Sequence, residues 1–275
     1  MERIVAKNGV VFYRSELIPT AHGFSTRLGG VSLLPHTKEL NLGFSRGDDE
    51  DTVLENLERF SSAVGVDAES IISVTQIHSD KIRTVDINNI GEGYFVSECD
   101  ACDGYITEAP GVTVGVKTAD CVPILLYAPP ADGFGGAVSA VHSGWRGTAL
   151  AIAAKAIERL VGLGANKNNI IAAIGPSIGG CCYTVKKDFY ESFLNAAGKE
   201  LTERFVLPVS DGIWRVDLKS VNKQTLIDCG LNEENIDVSD ACTCCMNEEF
   251  YSHRAMNGIR GTMLSVISMN EVSYE

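Results

Sequence analysis

Between residues 71 and 143 the chain passes through five short β-rich runs: "IISV", "KIRTV", "VTVGV", "PILLYA" and "GAVSAVH". Consecutive strands of this kind rule out a strict βαβ alternation and favour mixed or antiparallel sheets with helices packed outside. The flanks agree. "IVAKNGVVFY" holds two apolar runs around Asn8-Gly9, a hairpin signal. A helix is predicted over 52–64, capped by Thr52, with Leu54, Leu57, Ser61 and Val64 on one face and Gly65 as its stop. Further helices are predicted over 148–162, capped by Thr148, and over 185–197 and 218–229, ended by Gly198 and Gly230. "NIIAAIG" and the closing "TMLSVISM" read as strands. With no repeat or linker, the expectation is one α+β domain over 1–275, a layered mixed β-sheet sandwich with helices outside.

A formal net charge of -13 disfavours a nucleic-acid partner, because an acidic surface repels phosphate backbones. An anionic substrate would need a local cationic pocket. The nine cysteines are odd in number and include adjacent pairs, which argues against a disulfide framework. The first residues lack a signal-like apolar stretch and no window is long enough for a membrane span, so the expectation is a cytoplasmic protein. Its expected state is a monomer or small homo-oligomer.

His78 and His142 end apolar, strand-like runs, and Cys121 sits at the edge of another. Two imidazoles and a thiolate form a donor set that zinc accepts, with a fourth position left for water. The alternative is two strand-end histidines and a buried thiol. Cys99 and Cys102 in "CDAC" with the "CTCC" of 242–245 form a second possible zinc set, while "CCYTV" at 181–185 reads as packing. "VHSGWRGT" at 141–148 places Gly144 and Gly147, whose amides can approach a ligand, around the cation Arg146 before a helix start. "IGPSIGG" at 174–180 is a second glycine-rich loop.

In order along the chain come "STRLGGVS" (25–32), "LNLG" (40–43) with "GDD" (47–49), "TQIH" (75–78), "TADCVPILLY" (118–127), "VHSGWRGT" (141–148), "IGPSIGGCCYTV" (174–185) and "FYSHR" (250–254). This series resembles the YfiH-type proteins, also labelled laccase-domain or polyphenol-oxidase proteins. The resemblance implies a single-domain mixed α/β fold and zinc held by His78, Cys121 and His142. It also implies phosphorolysis of adenosine, inosine, guanosine and methylthioadenosine, and hydrolytic deamination of adenosine. The chain departs from the family pattern at Ser45, where a histidine is common, and at "RGTM" (260–263), where Thr262 replaces an arginine and Arg260 lies two positions earlier.

Deamination would use a zinc-bound water whose pKa is lowered toward about 7, with Asp120 or Asp103 as proton-shuttle candidates. Strand neighbours face opposite ways, which sets Asp120 against its neighbour Cys121. Phosphorolysis requires phosphate to be held, by Arg146 with the amides near Gly144 and Gly147, or by Arg27 or Arg46; Asn41 is a further substrate-binding candidate. Three other readings stand. Cys121 could be the nucleophile of a hydrolase or deamidase with His142 or His78 as base. The protein could be a copper-dependent polyphenol oxidase, although five histidines are too few for a multicopper set. Or a zinc ion could be purely structural in a non-enzymatic protein.

Overall fold

The computed structural model describes residues 1–97 and 100–271. In chain order the elements are β1 (Glu2–Val5), β2 (Val11–Arg14), β3 (Thr20–Ser25), α1 (Glu50–Val64), β4 (Ile71–Ile72), β5 (Ile82–Thr84), β6 (Gly104–Thr107), β7 (Thr113–Thr118), β8 (Val122–Ala128) and β9 (Ala137–Ser143). The second half adds α2 (Trp145–Ala149), α3 (Ile152–Leu163), β10 (Ile171–Ile174), β11 (Thr184–Lys186), α4 (Lys187–Ala197), α5 (Lys199–Phe205), β12 (Val206–Ser210), β13 (Ile213–Val216), α6 (Leu218–Asp228), β14 (Ile236–Val238) and β15 (Met263–Glu271).

Two six-stranded sheets stack face to face, ordered β1-β2-β3-β15-β7-β4 and β14-β10-β8-β9-β6-β5, and β11-β13-β12 form a smaller antiparallel sheet. Period-two alternation decides which side chain enters which layer. Along β8, Leu125 joins Val114, Val116 and Ile267 in the core between the large sheets. Its neighbours Ile124 and Leu126 face the other way, onto Ile152, Ala156 and Leu160 of α3 and Val221 of α6. Along β15, Leu264 and Val266 meet Leu57, Phe60 and Val64 of α1. The order of layers is therefore helix, sheet, sheet, helix, and the expected mixed α/β sandwich with outer helices is observed.

The Asn8-Gly9 hairpin joins β1 to β2, with Gly9 at φ 85. Helix α1 starts earlier than predicted. Asp49, not Thr52, is its N-cap, accepting from the Thr52 amide at 2.8 Å, and Gly65 closes it in the left-handed region. A carboxylate cap with Glu50 and Asp51 behind it suits the positive helix end. The predicted 148–162 helix is instead two helices. α2 begins at Trp145 with Gly144 as its cap, and Ala151, at φ 54, separates it from α3. Thr148 does not cap, because its buried hydroxyl lies 2.9 Å from that of Ser143. The small sheet and α5 have no counterpart among the predicted elements, although "FVLPV" (205–209) and "IWRV" (213–216) are apolar runs.

Phe60 is fully buried under α1 and makes an edge contact with Phe12 at 6.5 Å, whereas Leu54 lies at the rim of that layer. Phe60→Ala should lower stability by about 3–5 kcal/mol, and Leu54→Ala by clearly less, in denaturant unfolding. Equal losses would contradict the observed face of α1.

Candidate metal centre

β8 and β9 form one hairpin in which Val122 pairs with Ser143 and Pro123 with His142. The register sets Cys121, just before β8, beside Gly144, just after β9. His78 arrives from the loop before β5. The donor atoms of His78, Cys121 and His142 all lie within 4.8 Å of one another. The two imidazoles meet edge to face, their centroids 4.9 Å apart.

Asp103, immediately before β6, organises this cluster. Its fully buried carboxylate accepts from the amides of Ile77, His78 and Ser79 at 3.3, 3.0 and 2.6 Å and from the Ser79 hydroxyl at 2.7 Å. It also accepts from His142 Nδ1 at 2.8 Å, and its backbone carbonyl accepts from the His142 amide at 2.7 Å. Three successive amides closing on one anion form a nest. That nest holds His78 at φ 57, a conformation unfavourable for a residue with a Cβ. With Nδ1–H committed to Asp103, His142 presents Nε2 as its free donor, the arrangement in which a carboxylate orients a metal-binding imidazole.

The charges fit. Burial alone would raise the Cys121 thiol, but His142, together with hydrogen bonds from both imidazoles, brings it down to about 6. Burial would lower His142, yet the Cys121 thiolate and Asp103 raise it to about 9. Burial also works against the Asp103 carboxylate, but His142 and Ser79 hold it at about 2. A thiolate and two imidazoles suit zinc or copper, and three donors leave a tetrahedral ion one open position. Gly144 supplies the room. A Cβ there would stand 2.8 Å from His78 Nδ1 and 3.2 Å from Cys121 Sγ.

The trio lies in the wall of a cavity of about 960 Å³, whose other lining residues include Phe44, Tyr94, Trp145, Tyr183 and His253. Arg46, Arg146, Arg254 and Arg260 line it as well. Arg146 is exposed, its guanidinium 4.3 Å from the Trp145 ring centroid. Arg254 is tied to the carbonyls of Cys182 and Thr184. Arg260 is the unusual one. Its Nε is buried without a hydrogen-bond partner among the described residues. Burial and the neighbouring Arg46 charge pull it down to about 10.

The other predicted residues are placed differently. Arg27 is not in the cavity; it donates to the carbonyls of Lys38 and Asn247 and covers Tyr251. Asn41 is buried and saturated by Gly43, Asp48 and Thr262. Both act as staples of the fold because carbonyls, amides and a carboxylate of the chain already take up their polar atoms. Asp120 lines the cavity, but its carboxylate accepts from the Thr243 hydroxyl at 2.6 Å and the Arg254 amide at 2.8 Å. Gly147 lets α2 approach the Ser79 carbonyl, 3.1 Å from where a Cβ would sit. α2 has five residues, too few for a substantial helix dipole, so an anion there would depend on Arg146 rather than on the helix end. Of "CDAC", Cys99 lies outside the described residues. Cys242 and Cys245 gather instead with Cys181 and Cys182, correcting the packing assignment of that pair. The gathering depends on two chain-distant loops meeting, which spacing does not reveal.

Among the described residues no helix is long and apolar enough to cross a membrane. The family described as multi-copper polyphenol oxidoreductase laccase matches residues 21–270. A protein of Geobacillus stearothermophilus named purine nucleoside phosphorylase YlmD is 34% identical over 260 residues, covering 90% of each chain. A protein named adenosine deaminase, from an unknown prokaryotic organism, is 32% identical over 237 residues, covering 85% of this chain and 88% of its own. The crystal structure of the Bacillus licheniformis hypothetical protein YfiH superposes with a TM-score of 0.88 at 31% identity, over 98% of this chain and 99% of that one.

Asp103→Asn should weaken metal binding about 10–100-fold, measured by competition with a chelator. Unchanged affinity would remove Asp103 from its positioning role.

Proposed function

This chain belongs to the family described as multi-copper polyphenol oxidoreductase laccase, and from that premise we propose that it is a zinc-dependent purine nucleoside enzyme. The proposed reactions are phosphorolysis of adenosine, inosine, guanosine and methylthioadenosine, and hydrolytic deamination of adenosine. The observation that carries the reading is the His78, Cys121 and His142 trio opening into an arginine-lined cavity. The names of two relatives, a purine nucleoside phosphorylase and an adenosine deaminase, support it. Zinc is preferred to copper because a lone three-donor set, with no further histidine cluster among the described residues, does not assemble a multicopper centre.

Zinc held by the trio would supply Lewis acidity and lower the pKa of water. The chain's own residues do the rest. Asp103 keeps the Nδ1 proton on His142 and so fixes its tautomer. The cavity has the volume to enclose a nucleoside, and Phe44, Tyr94, Trp145 and Tyr183 offer aromatic surface for a purine. Phosphorolysis places phosphate at C1′ of the ribose while the C–N bond breaks. Arg260 and Arg46 are the proposed phosphate holders, with Arg146 beside the Gly144 and Gly147 amides as a further cation. The guanidinium groups of Arg260 and Arg46 line one cavity and repel each other, and a phosphate there would offset that repulsion. Arg260 thus stands in for the arginine absent at Thr262, whose hydroxyl it contacts at 3.0 Å. Asp120, held by Thr243 and Arg254, fits a positioning role beside Cys121 better than a proton shuttle. The reading also places the protein in a reducing cytoplasm, as a single domain and a monomer or small homo-oligomer, with nucleosides and phosphate rather than nucleic acid as its partners.

One geometric observation favours a second reading. His142 lies between Cys121 and Asp103, the order of a nucleophile, its base and an orienting carboxylate. Stoichiometric metal bound through Cys121 would exclude it, since no free thiolate would remain.

Chromatography of products from adenosine should show inosine without phosphate, and adenine or hypoxanthine when phosphate is added. Cys121→Ala should abolish both reactions together with metal binding at the His78, Cys121 and His142 trio, and unchanged rates would overturn the assignment. Arg260→Met should reduce the phosphate-dependent reaction about tenfold or more and spare deamination; a loss confined to deamination would exclude Arg260 as a phosphate ligand.

A further inference from the structure

The parallel strands β10 and β14 end side by side. The loop after β10 carries Cys181 and Cys182, and the loop after β14 carries Cys242, Cys244 and Cys245, of which Cys242 and Cys245 face the first pair. All four sulfurs lie within 4.8 Å of one another. Cys245 Sγ is 3.5 Å from Cys181 Sγ and 3.3 Å from Cys182 Sγ. Such separations exceed a disulfide bond, about 2.05 Å. They approach the roughly 3.8 Å edge of a tetrahedron with metal–sulfur bonds near 2.3 Å.

The backbone is shaped around the sulfurs. The Gly179 amide donates to Cys242 Sγ at 3.2 Å, and a Cβ on Gly179 would stand 3.2 Å from Cys181 Sγ and 3.5 Å from Cys242 Sγ. The amides of Cys182 and Tyr183 both turn back to the Gly179 carbonyl, and the Met246 amide turns back to that of Cys242. Cys242 is buried while Cys181 and Cys245 face solvent, so an ion has a path of entry.

We propose that Cys181, Cys182, Cys242 and Cys245 bind a structural zinc ion, separate from the His78, Cys121 and His142 centre. Four thiolates close the coordination shell, so this ion has no position for substrate. It is a clamp. One loop it joins carries Ile178 and Tyr183 into the cavity wall. The other carries Thr243, whose hydroxyl holds the Asp120 carboxylate next to Cys121. Four thiolates in a tetrahedron suit zinc, whereas the mixed donors at His78, Cys121 and His142 suit an open catalytic ion.

The whole chain, purified in reductant without chelator, should carry about two zinc ions by elemental analysis and native mass spectrometry. Cys245→Ser and Cys181→Ser should each lose about one and keep the other, while Cys229→Ser, on the far end of α6, should lose none. Cys121→Ala should keep the clamp ion, so failure of the proposed function and failure of the clamp are distinguishable. Cobalt-exchanged wild type should show the intense visible absorption of a tetrahedral thiolate site, absent from Cys245→Ser. Three results would overturn the clamp, and each can be read from wild type whether or not the variants fold. One is a single metal per chain with no such absorption. Another is iron or copper in place of the second zinc. The third is an unalkylated chain lighter by the two hydrogens of a disulfide.

Discussion

A single buried carboxylate holds the candidate centre together. Asp103 is an anion without access to water, a position that is tolerable only when donors surround it. The nest of amides from 77–79, the Ser79 hydroxyl and His142 Nδ1 provide those donors. The same contacts join a loop to a sheet. They draw His78 toward the end of β9, hold its backbone in the left-handed region and orient His142. Each contact that lowers the energy of the charge also sets the position of a candidate ligand, so the stability of this corner and its chemistry are not separable.

Sheet register does the remainder. The antiparallel pairing of β8 and β9 matches Val122 to Ser143, which makes neighbours of the residues just outside the hairpin's paired ends. Cys121 and Gly144 are those residues. A side chain larger than hydrogen at Gly144 would enter the space shared by the trio. Gly144 is at φ -65, a backbone region open to any residue, so its importance is room rather than conformational freedom.

The strands and the trio were legible in the sequence because each left a local signature. Apolar runs mark β7, β8, β9, β10 and β15, and at Cys121 and His142 the limit of a run marks a place where a rigid strand delivers a side chain, whereas the run before His78 forms a strand only at Ile71–Ile72 and leaves His78 in a loop. Asp103 was harder to find, since nothing in "CDGY" says that its carboxylate faces inward toward a loop 25 residues earlier. The sequence offers it only as a proton-shuttle candidate. In the sequence Arg260 stands only as a displaced family residue, whereas its place in the cavity beside Arg46 depends on the tertiary path of the loop before β15. Arg27 and Asn41 are the opposite case, since neither lines the cavity. Their motifs are distinctive, but their polar groups are consumed by carbonyls, amides and Asp48.

The cysteines show why chain spacing misleads in both directions. "CDAC" has the two-residue interval of many zinc ligands, and Cys102 is instead buried in the core between the sheets. Cys181 and Cys182 are adjacent, an interval that no common zinc motif uses, and they meet Cys242 and Cys245 because β10 and β14 run parallel. Parallel neighbours release their following loops at the same edge of a sheet, and residues more than 60 positions apart can then close around one point. The interval that matters for a ligand set is thus the spacing of strands, about 4.8 Å in a sheet, and the sequence encodes it only through strand pairing. The trio follows the same rule in part, since Cys121 and His142 come from the paired ends of β8 and β9, while His78 is brought in on a loop held by Asp103.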